Sequence, residues 1–422
     1  MPGYDALLLY NIYHKIKIGL GKNPPVASLR FPESPFATWS GSFALLATAV
    51  FSVGVFFGVQ LTLFNNFIVE RLGIEAQELG YVEALREVPG FLNAFFVALI
   101  IRLAPPLVGG ISLAIMGLGL MAYVGVGSVT ALAIYSVVWS IGFHCWIPIE
   151  QSLALSLSPD DNKGRWLGQL RSVHSIGMLL AIGACIVLMP YLRYDGLFIA
   201  AGAVTVLGSV ALLGVRRYTR VAGEKSFVLH RRYSLYYLLN FLQGCRKQMF
   251  ITFAIFALVK VHGMPVETTM MLVLINQSLI TLTGPSLGRM IDRYGERLML
   301  SLSYIGLVFV FLGYAIIDHR PTLYVLYCVD NLIFFGGIAL TTYIHKIAPA
   351  EDLKPTISMG ITMNHVASVV APVAGGIAWH LFGYQVIFLS GAFLAFISLL
   401  CSQWVNPNIV GTPTEEGTRD AF

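Results

Sequence analysis

Charge is scarce in this sequence. Only 12% of its 422 residues are Asp, Glu, Lys or Arg, against about 25% in an ordinary soluble domain. That is too little charge to clothe a water-soluble fold of this size, and the 56% hydrophobic content points the same way. Cysteine is also rare. Cys145, Cys185, Cys245, Cys328 and Cys401 lie singly in apolar runs without metal-ligand spacing, so they read as small hydrophobes. There is no HExxH, no paired Cys and His spacing and no phosphate-binding glycine loop, and these absences argue against an enzyme. The first 42 residues lack the apolar core and small-residue cleavage site of a secretory signal. The stretch YDALLLYNIYHKIKIGL has the pattern of a surface-lying amphipathic helix, and an unstructured tail is the alternative.

Long apolar segments are what the chain does have. A bilayer-spanning helix needs about 20 mostly apolar residues. Twelve such segments follow one another between about residue 43 and residue 405. Suppose the N-terminus is cytoplasmic. Most of the 27 Lys and Arg then face the cytoplasm, and only Arg71, Arg193, Lys260 and Arg320 face outward. Arg86, Arg171, Arg246 and Lys247 fall within spans. This bias matches the positive-inside rule. The net charge of +5 therefore reflects topology and gives no reason to expect nucleic-acid binding. The expected organisation is a cytoplasmic tail (1–42), a six-helix bundle (43–215), a basic cytoplasmic linker (216–232), a second six-helix bundle (233–405) and a cytoplasmic tail (406–422).

The two halves repeat at a shift of about 190 residues. LTLFNNFIVERLG lies over ITFAIFALVKVHG, so that Leu61, Thr62, Val69 and Gly73 meet Ile251, Thr252, Val259 and Gly263. Pro159 meets Pro349, and with a slip of one residue Gly202 meets Gly391. Even-numbered halves that both begin inside are parallel repeats, and substrate sites in such folds lie near mid-membrane between the halves.

Between the eighth and ninth spans stands GRMIDRYGER, residues 288–297. It resembles the signature loop of the major facilitator superfamily, roughly G-x-x-x-D-R-x-G-R-R. Gly288, Asp292, Arg293, Gly295 and Arg297 fit it, and Glu296 departs. The resemblance implies an all-α polytopic membrane protein with twelve transmembrane helices in two parallel six-helix repeats. It also implies a gating role for the loop, with Asp292 capping the ninth span. The first-half copy has decayed: Arg102 stands where the family has its aspartate, which puts that gating role in doubt. APVAGG, residues 371–376, resembles a glycine-proline motif of the family's antiporters, but its helix 5 counterpart near IGACI has no proline. Close packing is its expected role.

Within the spans, polar groups recur at matching register. Arg86 and Glu87 meet Asn276 and Gln277; His174 meets Asn364, beside His365; Ser140 meets Asp330, beside Asn331. Ionisable groups in spans normally face a bundle interior or a watery cavity. Arg86 stands three residues from Glu83 and can pair with it. Arg246 and Lys247, with Gln243 nearby, need a carboxylate such as Glu87 or Asp330, or an anionic solute. The expected substrate-binding set is therefore Arg86, Glu87, Arg246, Lys247, Gln243, Asn276, Gln277, His174, Asn331, Asn364 and His365, with Glu87 and Asp330 as candidate proton carriers. Structural roles compete for each: an ion pair for Arg86, a packed ring for each histidine. His144 and Glu150 read as packing and interface residues.

The expected function is secondary transport of a small organic solute, anionic or zwitterionic, by alternating access, with the proton as candidate coupling ion. Efflux of amphipathic compounds is the alternative, since Phe56, Phe57, Trp139 and Trp146 could line a greasy cavity. A membrane enzyme or a non-transporting receptor fits less well. The expected partners are the solute, the lipid bilayer and protons. No cofactor or metal is expected, and a monomer is the expected unit. The expected location is a bacterial inner membrane or a plasma membrane, with both termini cytoplasmic.

Overall fold

The computed structural model describes residues 39–92, 103–159, 163–216, 230–333 and 336–406. The proposed surface helix of the tail, Arg102 and most of the basic linker lie outside these residues. From Gly41 onward the chain forms one compact unit, and its described regular structure is helical. In order the helices are α1 (Gly41–Leu72), α2 (Ala76–Phe91), α3 (Pro105–Met121), α4 (Val129–Leu157), α5 (Lys163–Leu212) and α6 (Ser234–Lys260). Then follow α7 (Val266–Tyr294), α8 (Glu296–Ile316), α9 (Arg320–Ile333), α10 (Gly336–Ile347), α11 (Ala350–Phe382) and α12 (Gln385–Ser402).

The described part of every expected span falls on helix. Two spans share α5, which is broken at Arg193, whose φ of 53° lies in the left-handed region. One span is divided between α9 and α10. Eight described helices are long and apolar enough to cross a bilayer. One of them, Arg165–Leu212, has 48 residues, enough for two crossings. The shorter α2, α9 and α10, and α6 with its central cations, account for the other expected spans.

The repeat is visible in atomic detail. Gly73 and Gly263 have φ of 62° and 61°, and each closes its helix as a left-handed cap. The Gly73 amide donates to the Val69 carbonyl at 3.0 Å and the Gly263 amide to the Val259 carbonyl at 3.1 Å. The turns they form then hold each other across the halves. Asn66 Nδ2 donates to the Met264 carbonyl at 2.9 Å. Lys260 Nζ donates to the carbonyls of Gly73 and Ile74, both at 3.0 Å, and to Glu75 Oε1 at 2.8 Å. An ammonium has three protons, and here each has an acceptor on the opposite half.

Small residues set the helix spacing in matching places. Without a side chain at Gly54, α1 lies directly on the His174 carbonyl of α5. About 190 residues later Gly244 of α6 lies against Asn364 of α11. Gly202 packs on Met121, and Gly391 on Phe311, in the same relation. Lipid offers no hydrophobic drive between helices, so such close approach is how they associate. The halves meet where α2 packs along α11 and α5 against α7. Gly80 and Gly376 face each other at the first of these contacts, which gives APVAGG the packing role expected of it.

One expectation fails at the signature loop. Asp292 does not stand at the N-cap of the ninth span's helix. It lies inside α7, which runs on to Tyr294, and the N-cap of α8 is Gly295 with φ of 80°. The tight turn at Gly295 supplies the chain reversal, and the helix starts at Glu296. The Asp292 side chain lies outside the described residues.

Gly54→Val and Gly244→Val should each destabilise the protein by about 1–3 kcal/mol, because the added atoms meet a neighbouring helix. Thermal unfolding in detergent reads this out. Wild-type stability in both variants would contradict the shared packing role.

Candidate functional site

Three charged residues on α2 form a local network. Arg86 Nη1 donates to Glu83 Oε1 at 2.7 Å, and Nη2 stands 2.5 Å from Glu83 Oε2. The same Nη2 reaches Glu87 Oε1 at 3.2 Å. The helical spacing dictates this geometry: positions three apart share a face, and the guanidinium spans both carboxylates. Glu83 is almost fully buried, while Glu87 keeps some exposure. The guanidinium also lies 5.6 Å from the ring centroid of Trp139 on α4. Ser140 of α4 donates its hydroxyl to the Arg86 carbonyl.

Glu87 Oε2 points the other way, towards α11. His365 Nδ1 stands 3.7 Å from it, an ion-pair distance but too long for a hydrogen bond. His144 of α4 joins them. Its Nδ1 lies 2.9 Å from the Ser140 carbonyl, so Nδ1 carries the proton and Nε2 is left as an acceptor. The rings of His144 and His365 meet edge-on with centroids 5.5 Å apart. Gly90 makes room for both: a Cβ there would lie 2.5 Å from His144 Nε2 and 2.8 Å from His365 Cε1. Lys247 of α6 is close enough to interact electrostatically with Glu87. A cavity of about 80 Å³ adjoins this cluster, lined by Phe57, Gln60, Trp139 and Phe143 as well as Arg86, Glu87 and His144. A second, of about 30 Å³, shares Gln60, Leu61 and Arg86 with the first and includes Glu83 and Thr252 of α6.

The second buried ion pair lies within the C-terminal half. Arg246 Nη1 donates to Asp330 Oδ1 at 3.2 Å, and both side chains are almost wholly shielded. The guanidinium also sits 5.8 Å from the Phe311 ring. The repeat relates these positions to Phe56 and Ser140, where the first half places an aromatic contact between Phe56 and Trp139 instead.

The expected site residues thus divide. Arg86, Glu87, His365 and Lys247 come together, and Arg246 joins Asp330. His174 does not line the cavity, but its ring lies 6.4 Å from that of Phe57, which does. Asn331 Nδ2 donates to the Tyr327 carbonyl of its own helix at 2.9 Å. Gln277 turns to Thr281, also on its own helix. Asn364 packs on Gly244, and Gln243 and Asn276 are buried. Phe57 and Trp139 line the cavity, whereas Phe56 and Trp146 are fully buried core residues and do not. His144, expected in a packing and interface role, is buried and packs on His365 within the cluster.

These helices match a known family throughout. The sequence model of the Major Facilitator Superfamily matches residues 44–351 and 237–420. The chain belongs to the major facilitator superfamily. It is a multi-pass membrane protein and a transporter, as the family implies, and not an enzyme. Its fold is similar to that of the nucleoside transporter NupG, with 14% identity, coverage of 86% of this chain and 98% of that one, and a TM-score of 0.71. It is also similar to a bacterial homolog of the human lysosomal transporter Spinster in an inward-facing, occupied conformation. There the identity is 12%, the coverage 88% and 99%, and the TM-score 0.71. No curated protein is significantly similar to the chain in sequence. The superfamily's two-bundle fold puts the α2, α4 and α11 contact, where the Glu87 cluster lies, between helices of opposite halves.

Breaking a buried ion pair on one side strands the other charge and costs about 3–5 kcal/mol. Arg246→Met and Asp330→Leu should each show that loss, and the double variant should recover most of it in a double-mutant cycle. Additive losses would mean that the two residues are not energetically coupled.

Proposed function

We propose that this facilitator moves a small organic solute, anionic or zwitterionic, across the bilayer by alternating access, with a proton as the coupling ion. One observation carries the reading: a carboxylate, two cations and two histidines meet where helices of opposite halves touch. Burying such groups in a membrane is expensive unless they serve transport or compensate one another. Arg86 is compensated by Glu83, and Arg246 by Asp330. Lys247 is the cation left to meet the solute's negative group, and Glu87 is the carboxylate that takes up and releases a proton. Asp330 remains bound to Arg246 in this scheme and braces the second half.

The two six-helix bundles (43–215 and 233–405) are the moving bodies, joined by the basic linker (216–232). The clasp of Lys260 on the α1–α2 turn closes one face. Under a cytoplasmic assignment of the termini and of GRMIDRYGER, that closed face is the outer one, and the cavity opens inward. The protein would work as a monomer in a bacterial inner membrane or a plasma membrane. The aromatic lining from Phe57, Trp139 and Phe143 favours a second reading, the efflux of amphipathic compounds.

A thermal-shift screen with carboxylates, phosphates, zwitterions and lipophilic cations separates the two, because ligands of the folded state raise its stability. An anionic hit should bind Lys247→Ala about tenfold more weakly, a loss of roughly 1.4 kcal/mol. Hits confined to lipophilic cations and unaffected by that change would favour efflux. With a hit in hand, proteoliposomes test the coupling. An imposed pH gradient should drive accumulation, and Glu87→Gln should abolish that accumulation while leaving solute exchange. Uptake indifferent to both pH and membrane potential would sink the proton reading.

A further inference from the structure

We infer that Glu87, His144 and His365 form a binding site for a divalent first-row transition-metal ion, of the zinc type, that bridges the two halves of the protein. Each residue offers one ligand atom, and these atoms all lie within 4.8 Å of one another. They come from three helices: α2 and α4 in the first half and α11 in the second. Zinc bound at about 2.0–2.2 Å by nitrogen and oxygen holds neighbouring ligand atoms roughly 3.4 Å apart, so side-chain rotation of about 1 Å closes the set.

The surroundings prepare each ligand. The Ser140 carbonyl takes the Nδ1 proton of His144 at 2.9 Å, which fixes the tautomer that leaves Nε2 as a donor to a metal. Arg86 holds Oε1 of Glu87 at 3.2 Å, which leaves Oε2 turned to His365. His365 Nδ1 is buried and has no hydrogen-bond partner among the described residues. Gly90 contributes by absence, since any side chain there would push the two rings apart. Two imidazoles with one carboxylate suit zinc and its neighbours in the first row, and not magnesium or calcium, which take oxygen ligands. With three protein ligands the fourth position is open, beside the cavity of about 80 Å³ that Glu87 and His144 also line.

The charges around the site set its strength. Glu83 offsets Arg86 through contacts of 2.7 and 2.5 Å. Arg86 pairs with Glu87 directly at 3.2 Å, and Lys247 adds a second positive charge nearby. Removing that ammonium should therefore tighten metal binding, an effect that adventitious surface coordination would not show. An occupied site would tie α2 and α4 to α11 and so arrest the rocking of the halves. That consequence rests on the transport reading, whereas the binding itself does not.

Titration calorimetry of purified, tag-free protein with zinc chloride tests the site, with magnesium chloride as the control. One saturable zinc ion per chain is expected. His365→Ala and Glu87→Gln should weaken it by about tenfold or more, and Gly90→Ala, which keeps all three ligands, should weaken it too. Lys247→Met should strengthen it, and His380→Ala, which alters an exposed histidine elsewhere on α11, should leave it unchanged. Zinc-edge X-ray absorption should show two imidazoles. Metal-free thermal unfolding of each variant separates lost ligands from lost folding. The inference is overturned by no saturable zinc binding, or by binding that His365→Ala, Glu87→Gln and Lys247→Met all leave unchanged. If zinc binds as described but does not slow transport, the site stands and its arresting effect falls.

Discussion

The compensation of buried charge is the constraint on which this structure depends. A charged side chain at mid-membrane costs at least about 2.5 kcal/mol and more without a partner. The protein carries Glu83, Arg86 and Glu87 on one helix and Arg246, Lys247 and Asp330 on two others. It meets the cost in two ways. Glu83 and Arg86, and likewise Arg246 and Asp330, neutralise each other inside one half. Glu87 instead faces across the halves, towards His365. The first two pairs can persist while the halves move. The third must change when they do, which makes Glu87 the charge whose environment is coupled to motion.

Glycine determines how closely the halves and their helices approach. Gly54 and Gly244 bring the first helix of each half onto its neighbour, and Gly80 and Gly376 bring α2 onto α11. Gly90 then leaves a space at the level of Glu87 that two imidazoles fill. Packing and chemistry are thus joined on α2. The residue pattern that lets the halves touch also admits the polar groups between them. The opposite arrangement holds at the clasped turns, where Lys260 uses backbone carbonyls of the other half as acceptors. Those contacts bury no charge deeply and can be exchanged for water when that face opens.

Much of the architecture was legible in the sequence because it is periodic or local. Apolar length located the helices, and the shift of about 190 residues located the twin turns at Gly73 and Gly263. The pairing of Glu83 with Arg86 followed from spacing on one helix. Contacts made by tertiary packing were not legible in the same way. Arg246 could have met Glu87 or Asp330, and only the approach of α6 and α9 selects Asp330. His144 read as a packing and interface residue, but its particular neighbours on α2 and α11 are set by tertiary packing. Gln277 matched a polar position in the other half and Asn331 stood beside one, yet both turn back to their own helices, since register fixes depth along a helix and not the direction of a side chain. Asp292 was misplaced by one turn because helix ends are the least determined feature of a pattern.

Alternating access is the central claim, and it is most directly tested by distances between the halves on both faces at once. In a variant without native cysteines, spin labels at Glu70→Cys and Glu267→Cys report the face clasped by Lys260. Labels at Leu155→Cys and His345→Cys report the opposite face. Double electron–electron resonance would compare each pair with and without Lys260→Met. The account expects the first distance to lengthen and the second to shorten, because releasing the clasp opens one face as the other closes. Distances that both lengthen, or that both stay fixed, would contradict it.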